Sequence, residues 1–326
     1  MTAASLPTAA KPQKIILDTD IGDDIDDALA LGLIIACPEL DLVGVTTVYG
    51  NTVARARQAR SILATAGGRF RDIPVAAGCG ATMSTRPPKN GGTVAYLANT
   101  LPNQDASCLP EAQLPKLDSR HGVDFLIETI MAGNGDIVPV TIGAMTNLAM
   151  ALVKEPRIAA KIPRIVAMAA DFKKQFSEWN IRCDPEAAAL VFSSGIPIDI
   201  TTFEMGIIAK FDRSHIDRLR AGTSPLAKQL SKTVDPWCEL HKDTPALFDP
   251  FAVATMIKPE LAHWKQGTVE VELRGERTYG YTIFTEDAAG ASQPGKHRVT
   301  WSTDRTIALE YYLERVLGKG AATAKG

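Results

Sequence analysis

The sequence predicts an α/β fold: a single domain with a mainly parallel central sheet flanked by helices, Rossmann-like in layering. Three observations predict it. Apolar, β-branched runs alternate with longer runs of helical period from residue 14 to about residue 205, the pattern of βαβ units with right-handed crossovers. The chain has 326 residues, 45% hydrophobic and 22% charged, a globular composition with length enough for one large core. No internal repeat and no linker interrupts it.

Residues 14–19 read as a buried strand, and 26–37 as a helix stopped by Pro38. Residues 42–48 form a β-branched strand, and 53–66 a helix closed by Gly67 and Gly68. A short strand follows at 73–76. Residues 78–120 are polar and rich in glycine and proline, with only 94–101 suggesting local order. So long a connection inside a domain points to a lid or an oligomer contact. Then come a helix at 123–131, a strand at 137–142, a helix at 147–153 and a strand at 162–168. The helix at 185–193 starts on Asp184 as N-cap with Pro185 in its first turn, and 198–202 is a strand. Beyond about residue 205 the pattern changes. Helices are expected at 214–220, 224–232, 236–242 and 249–258. A strand pair at 268–274 and 279–285 turns at Gly275-Glu276-Arg277, before a strand at 297–302 and an amphipathic helix at 303–317. Residues 1–13 and 318–326 read as disordered tails, leaving 14–317 as the domain.

The bulk numbers exclude several classes. Net charge is −2 with a pI near 6.2, so nothing argues for nucleic acid or an anionic membrane surface. The extended apolar stretch at 28–37 is too short to span a bilayer. Cys37, Cys79, Cys108, Cys183 and Cys238 are scattered without paired spacing, against a zinc site or a disulfide framework. The N-terminal residues contain no apolar leader core. The expected compartment is the cytoplasm, or the periplasm or exterior should a leader have been removed.

The most informative run is KIILDTDIGDDIDDALAL. It packs Asp18, Asp20, Asp23, Asp24, Asp26 and Asp27 into ten residues where a buried strand should end. Like charges so close repel and raise one another's pKa values. A solvated loop with an acidic helix cap accounts for an isolated pair. Six carboxylates between an apolar strand and an apolar helix point to a cation, and all-oxygen ligands to Ca²⁺ or Mg²⁺ rather than zinc. In open parallel sheets ligands gather beyond the carboxyl ends of strands. Asp20, Asn51, the turn at 143–147 and the loop at 171–180 all lie at such ends.

Five segments, DTDIGDDIDDALAL, TTVYGN, TIGAMTNLAMA, EWNIRCDPEAA and FDPFAV, closely resemble those of the inosine–uridine-preferring nucleoside hydrolases. The resemblance runs from about Lys14 to the C-terminal helix. It implies a Ca²⁺-dependent enzyme that splits the N-glycosidic bond of ribonucleosides into ribose and base, as a homodimer or homotetramer, through an oxocarbenium-like transition state. It implies that Asp20, Asp27 and Asp249 are calcium carboxylates and that Ile142 lends a backbone carbonyl. Asp20 is also placed like the general base for the attacking water held by the metal. Asp26, Asn51, Asn180 and Asp249 would bind the ribose 2′- and 3′-hydroxyls, and Glu178 the 5′-hydroxyl. Each has a plainer role beside it. Asn51 and Asp249 are natural helix N-caps, Glu178 and Asn180 plain loop polars, and Asn147 a tie within its turn.

The chain departs from the family pattern in four ways. From the first Asp to the Ala, the acidic loop takes 28 − 18 = 10 steps against eight in the shorter form, which makes Asp24 an extra ligand or a group just behind the ligands, or, should the loop align from the strand side, the holder of the role given to Asp26 or Asp27. Phe248 stands where many members carry a leaving-group histidine. An aromatic there suits stacking on a purine, or is simply core. No H-x-H-G segment occurs in the long loop, where Arg86, Lys89 and Asn90 stand. His241 is then the candidate replacement acid, against a surface role, and His121 is structural. The loop at 171–177 is short and lysine-rich, and shows no second 5′-hydroxyl contact. Two other readings compete: a ribose-binding relative without leaving-group activation, and a phosphohydrolase using Asp18 and Asp20 with Mg²⁺.

Overall fold

The structure, a computed structural model, describes residues 11–22, 24–84 and 104–318. Asp23, the segment 94–101, Arg86, Lys89, Asn90 and most of both tails lie outside the described residues. Nine strands form one sheet in the order β3-β2-β1-β4-β5-β6-β9-β7-β8. They are β1 (Gln13–Thr19), β2 (Leu40–Thr47), β3 (Val75–Ala77), β4 (Ile137–Thr141), β5 (Ile165–Met168), β6 (Ile198–Thr201), β7 (Ala262–Val271), β8 (Thr282–Glu286) and β9 (His297–Thr303). Pairing from β3 through to β9 is parallel, and β7 alone is reversed, pairing antiparallel with both β9 and β8. The chain leaves β1 toward β2 and returns on its other side as β4. This reversal opens a crevice at the carboxyl ends of β1 and β4.

Helices cover both faces. They are α1 (Asp26–Ala36), α2 (Thr52–Ala66), α3 (Gly122–Ala132), α4 (Thr146–Lys154), α5 (Trp179–Cys183), α6 (Pro185–Phe192), α7 (Phe203–Ile208), α8 (Arg213–Arg220), α9 (Pro225–His241), α10 (Phe248–Ile257) and α11 (Arg305–Val316). Strand alternation builds the two cores. Ile15 and Leu17 of β1 face the cluster under α1, α2, α9 and α10, whereas Ile16 faces the cluster under α3, α4 and α6. All three are fully buried, and truncating such a residue to alanine costs about 2–5 kcal/mol.

Several boundaries differ from the sequence expectation. α9 is one helix rather than two and runs through Pro236. That proline starts no helix; it only omits the bond its missing N–H would have made. α5 and α7 were not foreseen, being 5 and 6 residues long, too short for a helical period to show. β7 begins six residues before the expected strand at 268, at Ala262.

His297 at the start of β9 carries a prediction of its own. It is buried, accepts from Val269 N at Nδ1 (2.7 Å) and bonds Phe192 O through Nε2 (3.1 Å). That arrangement needs a neutral ring protonated at Nε2. Burial holds its pKa below the ordinary value of 6.5. A folded-state pKa below the unfolded one means the unfolded chain takes up the proton first, so stability falls as pH drops through about 6.5. Between pH 7.5 and 5.5 the melting temperature should fall further for wild type than for His297→Phe. Equal falls would exclude this residue as the source.

Candidate active site

The described residues of the acidic run lie at the end of β1, in the turn after it and at the start of α1. Asp18 closes the strand. Its Oδ1 accepts from Thr46 Oγ1 (2.6 Å) and Asn147 Nδ2 (2.8 Å), and its Oδ2 has no hydrogen-bond partner among the described residues. Burial first, against those two bonds, raises its pKa to about 7. Asn147 also donates to Thr47 O (3.0 Å) and accepts from Cys79 N (2.8 Å), so it is the tie its position suggested. It knots the ends of β1 and β2 to the start of α4.

Beyond this knot lies a cavity of about 140 Å³. Asp20, Asp24, Asp26, Asp27, Ile142, Glu178, Asn180, Phe248 and Asp249 all line it. Asp26, Asp27 and Asp249 each offer one carboxylate oxygen within 4.8 Å of the others. Oxygens bound at 2.3–2.6 Å to one Ca²⁺ lie at most about 5 Å apart, so the three fit one ion. Asp249 comes from the first turn of α10, more than two hundred residues after Asp27. It does not cap the helix, whose N-cap is Leu247 without a side-chain bond. α1 and α10 pack together, and the Asp26 carboxyl accepts from the Asp249 backbone N–H. Asp27 instead accepts from Thr19 Oγ1.

Burial and then neighbouring carboxylates push Asp26, Asp27 and Asp249 well above the usual carboxylate range. Buried like charges at this density are unfavourable without compensation. The donors are all oxygen, so a hard divalent cation is the group that fits. Asp20 is 5% exposed and adds its field to all three. Its close approach to β4 depends on Gly143, where a Cβ would stand 2.7 Å from Asp20 Oδ1.

The opposite wall comes from the loop after β5. Glu178 caps α5, accepting from Asn180 N (3.0 Å) and Ile181 N (3.2 Å). Burial raises its pKa to about 7. Asn180 is buried and donates through Nδ2 to Ile142 O and Met168 O, each at 3.1 Å. The Ile142 carbonyl thus faces the site but already has an amide partner. Trp179, Met168 and Phe203 complete the lining. Phe203 stacks on Phe248 with centroids 5.1 Å apart, and Gly206 leaves room for the latter, because a Cβ there would meet Phe248 Cδ1 at 2.0 Å.

Two expected residues are not brought to this wall. Asn51 accepts from Ala54 N (3.1 Å) as the N-cap of α2. His241 is exposed at the end of α9, stacked on Trp237 at 4.5 Å. His121 caps α3. No histidine lines the cavity among the described residues. Sequence reasoning missed Trp179 and Phe203. Trp179 lay in view between Glu178 and Asn180, whereas Phe203 belongs to a helix the pattern did not show.

A family model described as inosine-uridine preferring nucleoside hydrolase matches residues 15–310. Uridine nucleosidase 1 of Arabidopsis thaliana is 29% identical over 331 residues, 94% of each chain. The inosine-uridine preferring nucleoside hydrolase of Crithidia fasciculata is 30% identical over 291 residues, 83% of this chain and 87% of its own. The solved purine-preferring ribonucleoside hydrolase from Gardnerella vaginalis is 26% identical and superposes with a TM-score of 0.78 over 94% of this chain and 98% of its own.

Proposed function

Because the chain belongs to the inosine-uridine preferring nucleoside hydrolase family, and is a nucleoside hydrolase, we propose that it cleaves ribonucleosides to ribose and free base with a Ca²⁺ ion in the acidic cavity. The observation that carries the metal is the meeting of Asp26 and Asp27 with Asp249 within 4.8 Å. Asp27 and Asp249 would hold the ion together with Asp20 and the Ile142 carbonyl, with Asp26 beside them turned to the ribose. Asp24, exposed at the rim with Oδ1 accepting from Ile25 N at 2.7 Å, is an extra ligand. When bound, Ca²⁺ supplies a place where water is acidified and oriented and where a sugar diol is gripped.

The chain's own groups do the rest. Asp20 takes the proton of the attacking water. Glu178, Asn180 and Asp26 grip the sugar hydroxyls and fix its pucker. Asn51 caps α2 through Oδ1 and keeps its Nδ2 amide as the group that would reach a sugar hydroxyl. The carboxylates around the ring favour the cationic, oxocarbenium-like transition state over the neutral nucleoside. The aromatic slab of Phe248 and Phe203 stacks on the leaving base, which fits a purine. With His241 away from the described cavity wall, stacking carries most of the leaving-group activation. No helix among the described residues is long and apolar enough to cross a membrane. A homodimer or homotetramer is the expected assembly.

The test is hydrolysis of inosine, adenosine, uridine and p-nitrophenyl riboside with and without chelator. We expect release of base, faster for purines, and loss of all four activities on chelation. Activity that survives exhaustive chelation, or release of phosphate from sugar phosphates alone, would reject the proposal. Phe248→Ala should weaken catalysis on purine nucleosides by roughly 1–3 kcal/mol, the scale of one base–aromatic stack. The activated riboside, which needs no protonation of its leaving group, should lose less. An equal loss on both would place Phe248 in the core alone.

A further inference from the structure

The inner face of α2 grips the enlarged acidic turn from behind. Arg55 is the largest of the fully buried side chains among the described residues. Its Nε donates to Tyr49 O at 2.6 Å, and one terminal nitrogen donates to the carbonyls of Asp20 and, at 3.1 Å, Ile21. One helical turn on, Gln58 donates to Gln104 Oε1, and Gln104 donates to the Asp24 carbonyl at 2.6 Å. Side chains standing on or tied to one helix face thus hold three backbone carbonyls of the turn.

The turn is two residues longer than the shorter family form. Extra length adds conformations, and its buried carbonyls need donors. One planar guanidinium supplies donors in two directions, and so cross-links the tip of β1 to the end of β2. At that second end Tyr49 adopts φ 65°, and its ring meets the cavity-lining Trp179 edge-on at 6.5 Å. We infer that Arg55, supported by Gln58 and Gln104, is a positioning residue. It fixes the carboxylates of Asp20 and Asp27 in cation-binding geometry without touching the ion or the substrate. Lysine keeps the charge but loses the planar fork, so it separates charge from positioning.

The inference rests on the cation reading above. The experiment is calorimetric titration of chelator-stripped protein with Ca²⁺, alongside kcat and KM at low and saturating Ca²⁺. Arg55→Lys should bind Ca²⁺ about 10–100-fold more weakly, the scale seen when a group that orients a metal ligand is removed. It should recover most of its kcat at saturating Ca²⁺. Gln104→Leu should shift affinity the same way by less. Arg60→Lys, altering a buried arginine whose guanidinium donates instead to Pro115 O at 2.6 Å, should leave affinity unchanged. Wild-type protein that binds no Ca²⁺ sinks the cation reading. Wild-type binding with unaltered affinity in folded Arg55→Lys, or an equal loss in Arg60→Lys, sinks only this inference. If Arg55→Lys does not fold, Gln104→Leu decides it, by weakened or by unchanged affinity.

Discussion

Asp20→Asn is expected to abolish measurable turnover of inosine while leaving the fold intact. The substitution is isosteric, and the bond from Arg55 to residue 20 survives it because that bond goes to the backbone carbonyl. What is lost is a group able to take a proton from water and one charge of the cation cage. A general base alone contributes about 10²–10⁴-fold, and weakened metal binding adds to it. Measured by kcat under saturating Ca²⁺, with the melting curve as control, near-normal turnover would reject Asp20 as the base. A loss fully reversed by excess Ca²⁺ would leave it as a ligand only.

The second large effect has two opposite signs. Asp249 sits buried, 2% exposed, among Asp26, Asp27 and Asp20. Burial first, and then those three charges, drive its pKa well above the usual carboxylate range. Asp249→Asn removes one of the repelling carboxylates and keeps the shape. The chelated variant should therefore melt higher than chelated wild type. With Ca²⁺ present the order should reverse. A ligand bound at a thousand times its Kd stabilises wild type by about 4 kcal/mol, and the variant should lose most of that. Thermal melts with and without chelator decide it. A variant that melts lower in chelator and still responds fully to Ca²⁺ would show that Asp249 is no ligand.

The part of the site legible in the sequence was the part that folding does not require. Nothing in the packing of a strand end calls for Asp20, Asp24, Asp26 and Asp27 together, so the candidate cation site stands out, whereas Asp18 ties β1 to β2 through Thr46 and Asn147. Asp249 was legible only through the segment around it, because a lone Asp before Pro250 also reads as a helix cap. The alternation of β1, α1, β2 and α2 was plain because each is long enough to display its period. What stayed hidden is short or non-local. α5 and α7 are about one and a half turns, and the bond from Arg55 to residue 20 spans 35 positions. In sequence Arg55 is one of several arginines on α2; its burial exists only after α2 packs behind the acidic turn. Asn51 shows the converse limit, since a residue that caps a helix through Oδ1 is placed by local structure whether or not its Nδ2 serves a site.

The most direct test of the central claim is diffraction from crystals grown with Ca²⁺. The account predicts one ion per chain with carboxylate oxygens of both Asp27 and Asp249 at about 2.3–2.6 Å. Active protein whose crystals hold no ion between those two side chains would contradict it.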